Sequence, residues 1–114
     1  MMTKGQAPFF RGSWIADYPD AESYFTVFYG KNPAPPNYTQ FKNAKYDRIY
    51  EAALQENDDA KRYALYQQLD AILVEEAPVV FLFYDETALC ASKNIKGLSR
   101  NALNLLSLKK VKKL

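Results

Sequence analysis

The sequence predicts an α+β chain of about three helices and several short strands, all within one domain. Three observations carry this. Two long stretches, residues 43–54 and 58–73, place apolar side chains at helical spacing. A continuous apolar run, Val79, Val80, Phe81, Leu82, Phe83 and Tyr84, then reads as β-structure. Prolines at 8, 19, 33, 35, 36 and 78 punctuate the chain around these stretches. At 114 residues the chain fits one domain at most, and a compact chain of this size buries roughly 65% of its unfolded surface.

Residues 9–16 are short, aromatic-led and bounded by Pro8 and Pro19, which predicts a strand. Asp20 then stands where its side chain can cap a helix, and Glu22 adds a negative charge in the first turn, where the helix dipole favours it. That helix carries Tyr24, Phe25, Phe28 and Tyr29 on adjoining faces, which predicts a brief, heavily buried element. It stops before Gly30, a good residue just past a helix end. Residues 31–38 hold three prolines and cannot be helical, so they form a surface loop.

Asn43 caps the second helix, whose apolar positions Tyr46, Ile49, Tyr50, Ala53 and Leu54 follow one face without a miss. Asn57, Asp58 and Asp59 break it and start the third. There Tyr63, Tyr66, Leu69, Ile72 and Leu73 form the stripe, while Lys61, Arg62, Gln67, Gln68 and Asp70 face away. Pro78 ends this helix, and the short join predicts an antiparallel pair. The apolar run at 79–84 predicts a strand covered on both faces. A second run follows from Thr87 to Ala91, then a turn at Ser92, Lys93 and Asn94 and an extended piece from Ile95. Residues 103–111 alternate loosely, as a further strand would.

Composition narrows the function classes. The chain is 48% hydrophobic and 25% charged, as ordinary folded domains are. Its aromatic share of 15%, with nine tyrosines, fits an aromatic core and equally a binding surface. A net charge of +2, with both signs mixed, leaves no basic footprint for nucleic acid. The basic end at Lys109, Lys110, Lys112 and Lys113 reads as a solvated terminal strand or frayed end. Histidine is absent, which removes the commonest general base and metal ligand. Cys90, the single cysteine, sits among Ala88, Leu89 and Ala91 and reads as a small buried hydrophobe; no internal disulfide or zinc site can form. No apolar run approaches the ~20 residues of a membrane span, and no signal peptide opens the chain. No cofactor is expected.

The stretch Trp14, Ile15, Ala16, Asp17, Tyr18, Pro19, Asp20 holds the most chemistry. Asp17 and Asp20 form a conceivable acid/base pair. Aspartates three apart around a proline more often make a turn and a helix cap. With Asp20 occupied in capping, Asp17 is left at the strand end, at a mouth that a ligand can reach. A carboxylate beside the Trp14 indole suits an ammonium group, through a charge-assisted hydrogen bond of about 1.5–3 kcal/mol and a cation over the ring at ~0.5–2 kcal/mol. A purely structural role for Asp17 stands beside that reading. No GxSxG elbow, P-loop or GxGxxG is present, so no catalytic residue is assigned.

The string W-I-A-D-Y-P-D, the aromatic helix after it, Y-D-R-I-Y-E-A-A, K-R-Y-A-L-Y-Q-Q-L-D-A-I-L-V-E-E-A-P-V-V-F-L-F-Y, and K-N-I-K-G-L with Asn101 beyond it arrive in an order that resembles the C-terminal part of the family 5 extracellular solute-binding proteins. These are the oligopeptide- and dipeptide-binding receptors of bacterial ABC importers. The resemblance covers nearly the whole chain. It implies the C-terminal part of one lobe of a two-lobed, type II periplasmic-binding-protein fold. Residues 9–92 then belong to the lobe and 93–114 to a closing segment that returns across the hinge, the whole being a single incomplete domain over 1–114.

The resemblance assigns Asp17 to the peptide's N-terminal ammonium and Trp14 to the aromatic wall beside it. The backbone of Ser13 and Ile15 lies on the strand the peptide extends, and Tyr18 borders the pocket. Some family members bind nickel or sugars and depart at these positions; the acidic residue kept here favours an amine-bearing ligand. The implied partners are a short peptide and the ABC permease subunits, and the implied location is periplasmic or cell-surface, with a lipid anchor conceivable in the full-length parent. The paired Met1 and Met2 fit a start added to a cut fragment. A half-cleft predicts weak or no peptide binding by this piece, and its unpaired strand edges predict self-association. The other readings are a receptor for a non-peptide solute, a Tyr-rich helical module that binds a partner protein, and an acid-dependent hydrolase using Asp17 and Asp20.

Overall fold

Capping side chains decide where the helices of this protein begin. The computed structural model describes residues 4–84, 86, 88–101 and 105–114. Helix α1 (Glu22–Phe25) is one turn, continued by a 3₁₀ turn at Thr26–Phe28. Ala21 is the boundary residue and already has helical angles, while Asp20 Oδ1 accepts the Glu22 amide at 2.9 Å. Asp20 thus satisfies an orphan amide as expected, from one residue further out.

Helix α2 (Ala44–Gln55) starts after extended backbone at Asn43, whose side-chain oxygen accepts the amides of Lys45 at 2.9 Å and Tyr46 at 3.1 Å. Helix α3 (Asp59–Glu76) is capped by Asp58, which accepts the Lys61 amide at 3.0 Å. It ends at Ala77, whose left-handed φ of 45° turns its amide back to the Leu73 carbonyl at 2.9 Å before Pro78. Asn43 Nδ2 at the start of α2 donates to Glu76 Oε1 at the end of α3, at 3.2 Å. That link, with the three-residue join, confirms an antiparallel hairpin.

The core lies where α1 and its 3₁₀ extension rest on this hairpin. Tyr46 and Leu69 are fully enclosed, and Phe28, Tyr50, Ala53, Tyr66, Ile72 and Leu73 are buried around them. Aromatic rings supply much of the packing: Phe25 stacks on Tyr66 at 5.1 Å between centroids, and Phe41 meets Tyr46 edge-on at 5.6 Å. The 31–38 loop is pinned from within by Asn37, 2% exposed, which donates to the carbonyls of Tyr29 and Phe41 and accepts the Phe41 amide.

The stripes differ from expectation at their ends. Leu54 and Tyr63 are about half exposed, at 52% and 53%, and Tyr24 on α1 is also exposed. Arg62, expected to face away, turns inward. The buried seam runs through Tyr66, Leu69 and Leu73, and stepping back four residues from 66 reaches 62, not 63.

The strands diverge more. Among the described residues there are four two-residue strands: β1 (Ile95–Lys96), β2 (Ser99–Arg100), β3 (Leu106–Ser107) and β4 (Lys112–Lys113). β1 pairs antiparallel with β4, Ile95 opposite Lys113, and β2 with β3, Ser99 opposite Ser107. The extended piece from Ile95, the turn before it and the solvated basic end therefore hold. The strand expected over 103–111 is cut down to Leu106–Ser107; residues 102–104 lie outside the described ones. At Gly97, with φ of 76°, a Cβ would come within 2.0 Å of the Lys110 carbonyl oxygen, so β1 can leave for β2 only through glycine.

Residues 9–16 and 79–84, both expected as strands, form no ladder, and neither makes a backbone–backbone hydrogen bond with another described residue. A strand exists only through a hydrogen-bonded neighbour, and no described segment pairs with either one. The 79–84 run, expected to be covered on both faces, is open, with Val80 at 78% exposure and Phe83 at 66%. The run beginning at Thr87 likewise forms no strand over 88–91; Thr87 itself lies outside the described residues. Cys90 is exposed, not buried; residues 88–91 form no ladder among the described residues, and Arg100 Nη2 donates to the Ala88 carbonyl at 3.1 Å. The accessible surface of 8971 Å² exceeds the roughly 6,400 Å² of a compact monomer of this mass. The radius of gyration, 18.2 Å, likewise exceeds about 13 Å.

Candidate functional site

Ser23, in the first turn of α1, organises the residues singled out in the sequence. It is 1% exposed. Its hydroxyl accepts the Asp17 amide at 3.0 Å, and its carbonyl accepts the Trp14 indole N–H at 2.7 Å. Both bonds pull the incoming segment onto α1 and leave Trp14 half-buried, its ring edge facing inward. The Asp17 carboxylate stays exposed. Among the described residues it has no hydrogen-bond or ion-pair partner.

Asp20 takes a different part. Its Oδ1 accepts from the Tyr66 hydroxyl at 3.1 Å, and its Oδ2 lies 3.3 Å from Arg62 Nη2. The same guanidinium reaches Asp59 at 3.0 Å. Burial, and then the bond to Asp20, push the Tyr66 hydroxyl up to about 12. Two more tyrosines fix α1 from below. The Tyr46 hydroxyl donates to the Phe25 carbonyl at 2.8 Å, and the Tyr50 hydroxyl donates to the Glu22 carboxylate. Burial raises both well above the ordinary tyrosine value. Asp20 is therefore tied into the fold by three contacts.

Of the residues expected at the site, Trp14 and Asp17 are brought together through Ser23. Ser13, Ile15 and Tyr18 lie on the same segment and are exposed, Ile15 at 72% and Tyr18 at 44%. Asp17 is likewise exposed. A shallow depression lies elsewhere, in the proline-rich loop, bordered by Gly30, Lys31, Pro33, Asn37 and Lys42. Lys31 there pairs with Glu51, which also accepts the Tyr29 hydroxyl; the Lys31 bond comes first in holding the Glu51 carboxyl below its usual range. Sequence reasoning missed Ser23 and Arg62. The seam spacing points to Arg62, whereas nothing local marks Ser23 beyond its place in a first turn.

Among the described residues, no cluster of three or more His, Cys, Asp or Glu could hold a metal. No helix among them is long and apolar enough to cross a membrane. No family model matches the chain. Individual proteins do. A protein of Haemophilus influenzae named only as a binding protein is 30% identical over 91% of this chain and 20% of its own length. The "Probable deoxycholate-binding periplasmic protein" of Escherichia coli K12 is 39% identical over 65% of this chain and 14% of its own. A dipeptide-binding protein of Bacillus subtilis is 28% identical over 89% of this chain and 18% of its own. The curated relatives that match about 90% of the chain are family 5 peptide- and dipeptide-binding periplasmic proteins, and the chain is similar to a fragment of such a protein. It spans about a fifth or less of the length of these curated relatives.

Proposed function

We propose that this chain is the C-terminal part of one lobe of a two-lobed peptide receptor, and that Asp17 receives the N-terminal ammonium of a bound peptide. Residues 9–92 form the lobe portion and 93–114 the closing segment. The parent captures short peptides in the periplasm or at the cell surface and delivers them to the permease subunits of an ABC importer. The single observation that carries this is the Asp17 carboxylate. Its amide is fixed to a buried serine and its indole neighbour is fixed to the same residue, yet its charge is left unanswered at the surface. Relatives with printed names that bind dipeptides, D,D-dipeptides, murein peptides and oligopeptides support a peptide as the ligand. The backbone of Ser13 and Ile15, without ladder bonds to described residues, offers the edge that an extended peptide would join. Trp14 and Tyr18 border the pocket.

Calorimetry on the full-length receptor tests the reading. Asp17→Ala should weaken binding of a free-amine peptide more than tenfold, because about 1.5–3 kcal/mol rests on that contact. Unchanged affinity would remove the ammonium role. This chain alone should bind the same peptides weakly or not at all, since it supplies one wall of the site.

A second reading, a receptor for a non-peptide solute, is favoured by the relative whose name gives deoxycholate as its ligand. A bile acid is a carboxylate at neutral pH, and the exposed Asp17 charge opposes it, so peptide capture is the better fit.

A further inference from the structure

We infer that Ser23 is a positioning residue for the peptide ammonium, acting through Asp17; the inference rests on the peptide-receptor reading above. Three features set Ser23 apart. Its side chain is 1% exposed, so it cannot touch a ligand itself. Its hydroxyl is 3.0 Å from the Asp17 amide, across six residues of irregular chain that makes no ladder. Its carbonyl, through a separate atom, fixes the Trp14 indole at 2.7 Å. One residue therefore sets where both the carboxylate and the ring stand.

The segment needs such a fixture. Without a strand partner among the described residues, the backbone at Asp17 is held to α1 through its amide, which the Ser23 hydroxyl accepts. α1 in turn is fastened to the hairpin at Asp20, Glu22 and Phe25 by the hydroxyls of Tyr66, Tyr50 and Tyr46. The anchor is firm on one side and the carboxylate free on the other. A carboxylate that wanders over several positions pays an ordering cost when it binds an ammonium, and fixing its backbone beforehand removes that cost.

The chemistry separates the two contacts. Ser23→Ala deletes the acceptor for the Asp17 amide and leaves the carbonyl that Trp14 uses. Ser23→Cys keeps the volume with a poor acceptor, and guards against a packing effect of alanine. The measurement is calorimetry on the full-length receptor with alanine peptides of two to five residues and their N-acetylated forms, in the wild type, Ser23→Ala, Ser23→Cys, Asp17→Asn and the double variant Asp17→Asn/Ser23→Ala. The expected result is a three- to tenfold loss for free-amine peptides in both serine variants and no change for acetylated peptides. In the Asp17→Asn background, Ser23→Ala should add less than a twofold further loss, because the residue works through the carboxylate. Equal losses for free and acetylated peptides, or losses that multiply in the double variant, would overturn positioning in favour of a merely structural serine. Asp17→Asn weakening binding while both serine variants leave it intact would overturn the inference and spare the ammonium reading. Asp17→Asn without effect, or no binding of any peptide, would overturn both.

Discussion

Replacing Asp20 with alanine removes three acceptor contacts at once: the Glu22 amide at 2.9 Å, the Tyr66 hydroxyl at 3.1 Å and the Arg62 guanidinium at 3.3 Å. Losing the helix-start acceptor costs about 1 kcal/mol. Leaving the buried Tyr66 hydroxyl without its acceptor costs about 1 kcal/mol more. The Arg62 pair, whose side chains are 27% and 26% exposed, contributes about 0.5 kcal/mol after solvent screening. The sum is about 2.5 kcal/mol, an upper value because the three contacts share one carboxylate. Asp20→Asn keeps an acceptor for both the amide and the hydroxyl and gives up only the ion pair, so it should cost about 0.5 kcal/mol. Urea unfolding followed by tyrosine fluorescence reads both variants. With a slope of about 1–3 kcal/mol/M, the alanine midpoint should fall by roughly 1–2 M and the asparagine midpoint by a few tenths. Equal losses for the two variants would mean that charge, not acceptor geometry, is what Asp20 supplies, and the assignment of its contacts would fail.

Two further outcomes follow from the same coordinates. Tyr66 ionises near pH 12 in the folded chain against an ordinary value of 10.0, so its stabilising contribution is complete below pH 10 and disappears as pH rises through 12. Tyr29, Tyr46 and Tyr50 are raised in the same direction, so a tyrosinate absorbance titration should find four of the nine tyrosines ionising above the ordinary value; all nine titrating together near pH 10 would contradict these contacts. The exposed run at Phe81, Leu82 and Phe83, 65–70% accessible, should drive concentration-dependent self-association of this chain. Sedimentation should show Phe81→Lys/Phe83→Lys as a monomer where the wild type is larger; a wild type that stays monomeric at high concentration would refute it.

What the sequence disclosed about the fold was local. Asn43 and Asp58 mark their helix starts because a cap needs only its own amides two or three residues on. The Tyr46, Tyr50 and Ala53 seam is read directly from spacing. Residues 79–84 have every β-forming trait and are still not a strand, since a ladder depends on a partner that spacing cannot supply. Cys90 fails for the same reason: its apolar neighbours predicted burial, and residues 88–91 form no ladder among the described residues. Arg62 was misread because charge outweighed position, although the heptad-like step from Tyr66 reaches it. At the site, Trp14 and Asp17 were visible as residue types. Ser23 was invisible, because its importance lies in a contact across six residues and in its burial.

The central claim is that a peptide's ammonium group sits on Asp17. A crystal structure of the full-length receptor with its co-purified or added peptide tests this most directly. The account predicts the peptide nitrogen about 2.7–2.9 Å from an Asp17 carboxylate oxygen, with the Trp14 ring beside it. A bound solute that leaves Asp17 facing water, or one that presents a carboxylate or steroid ring there, would contradict it.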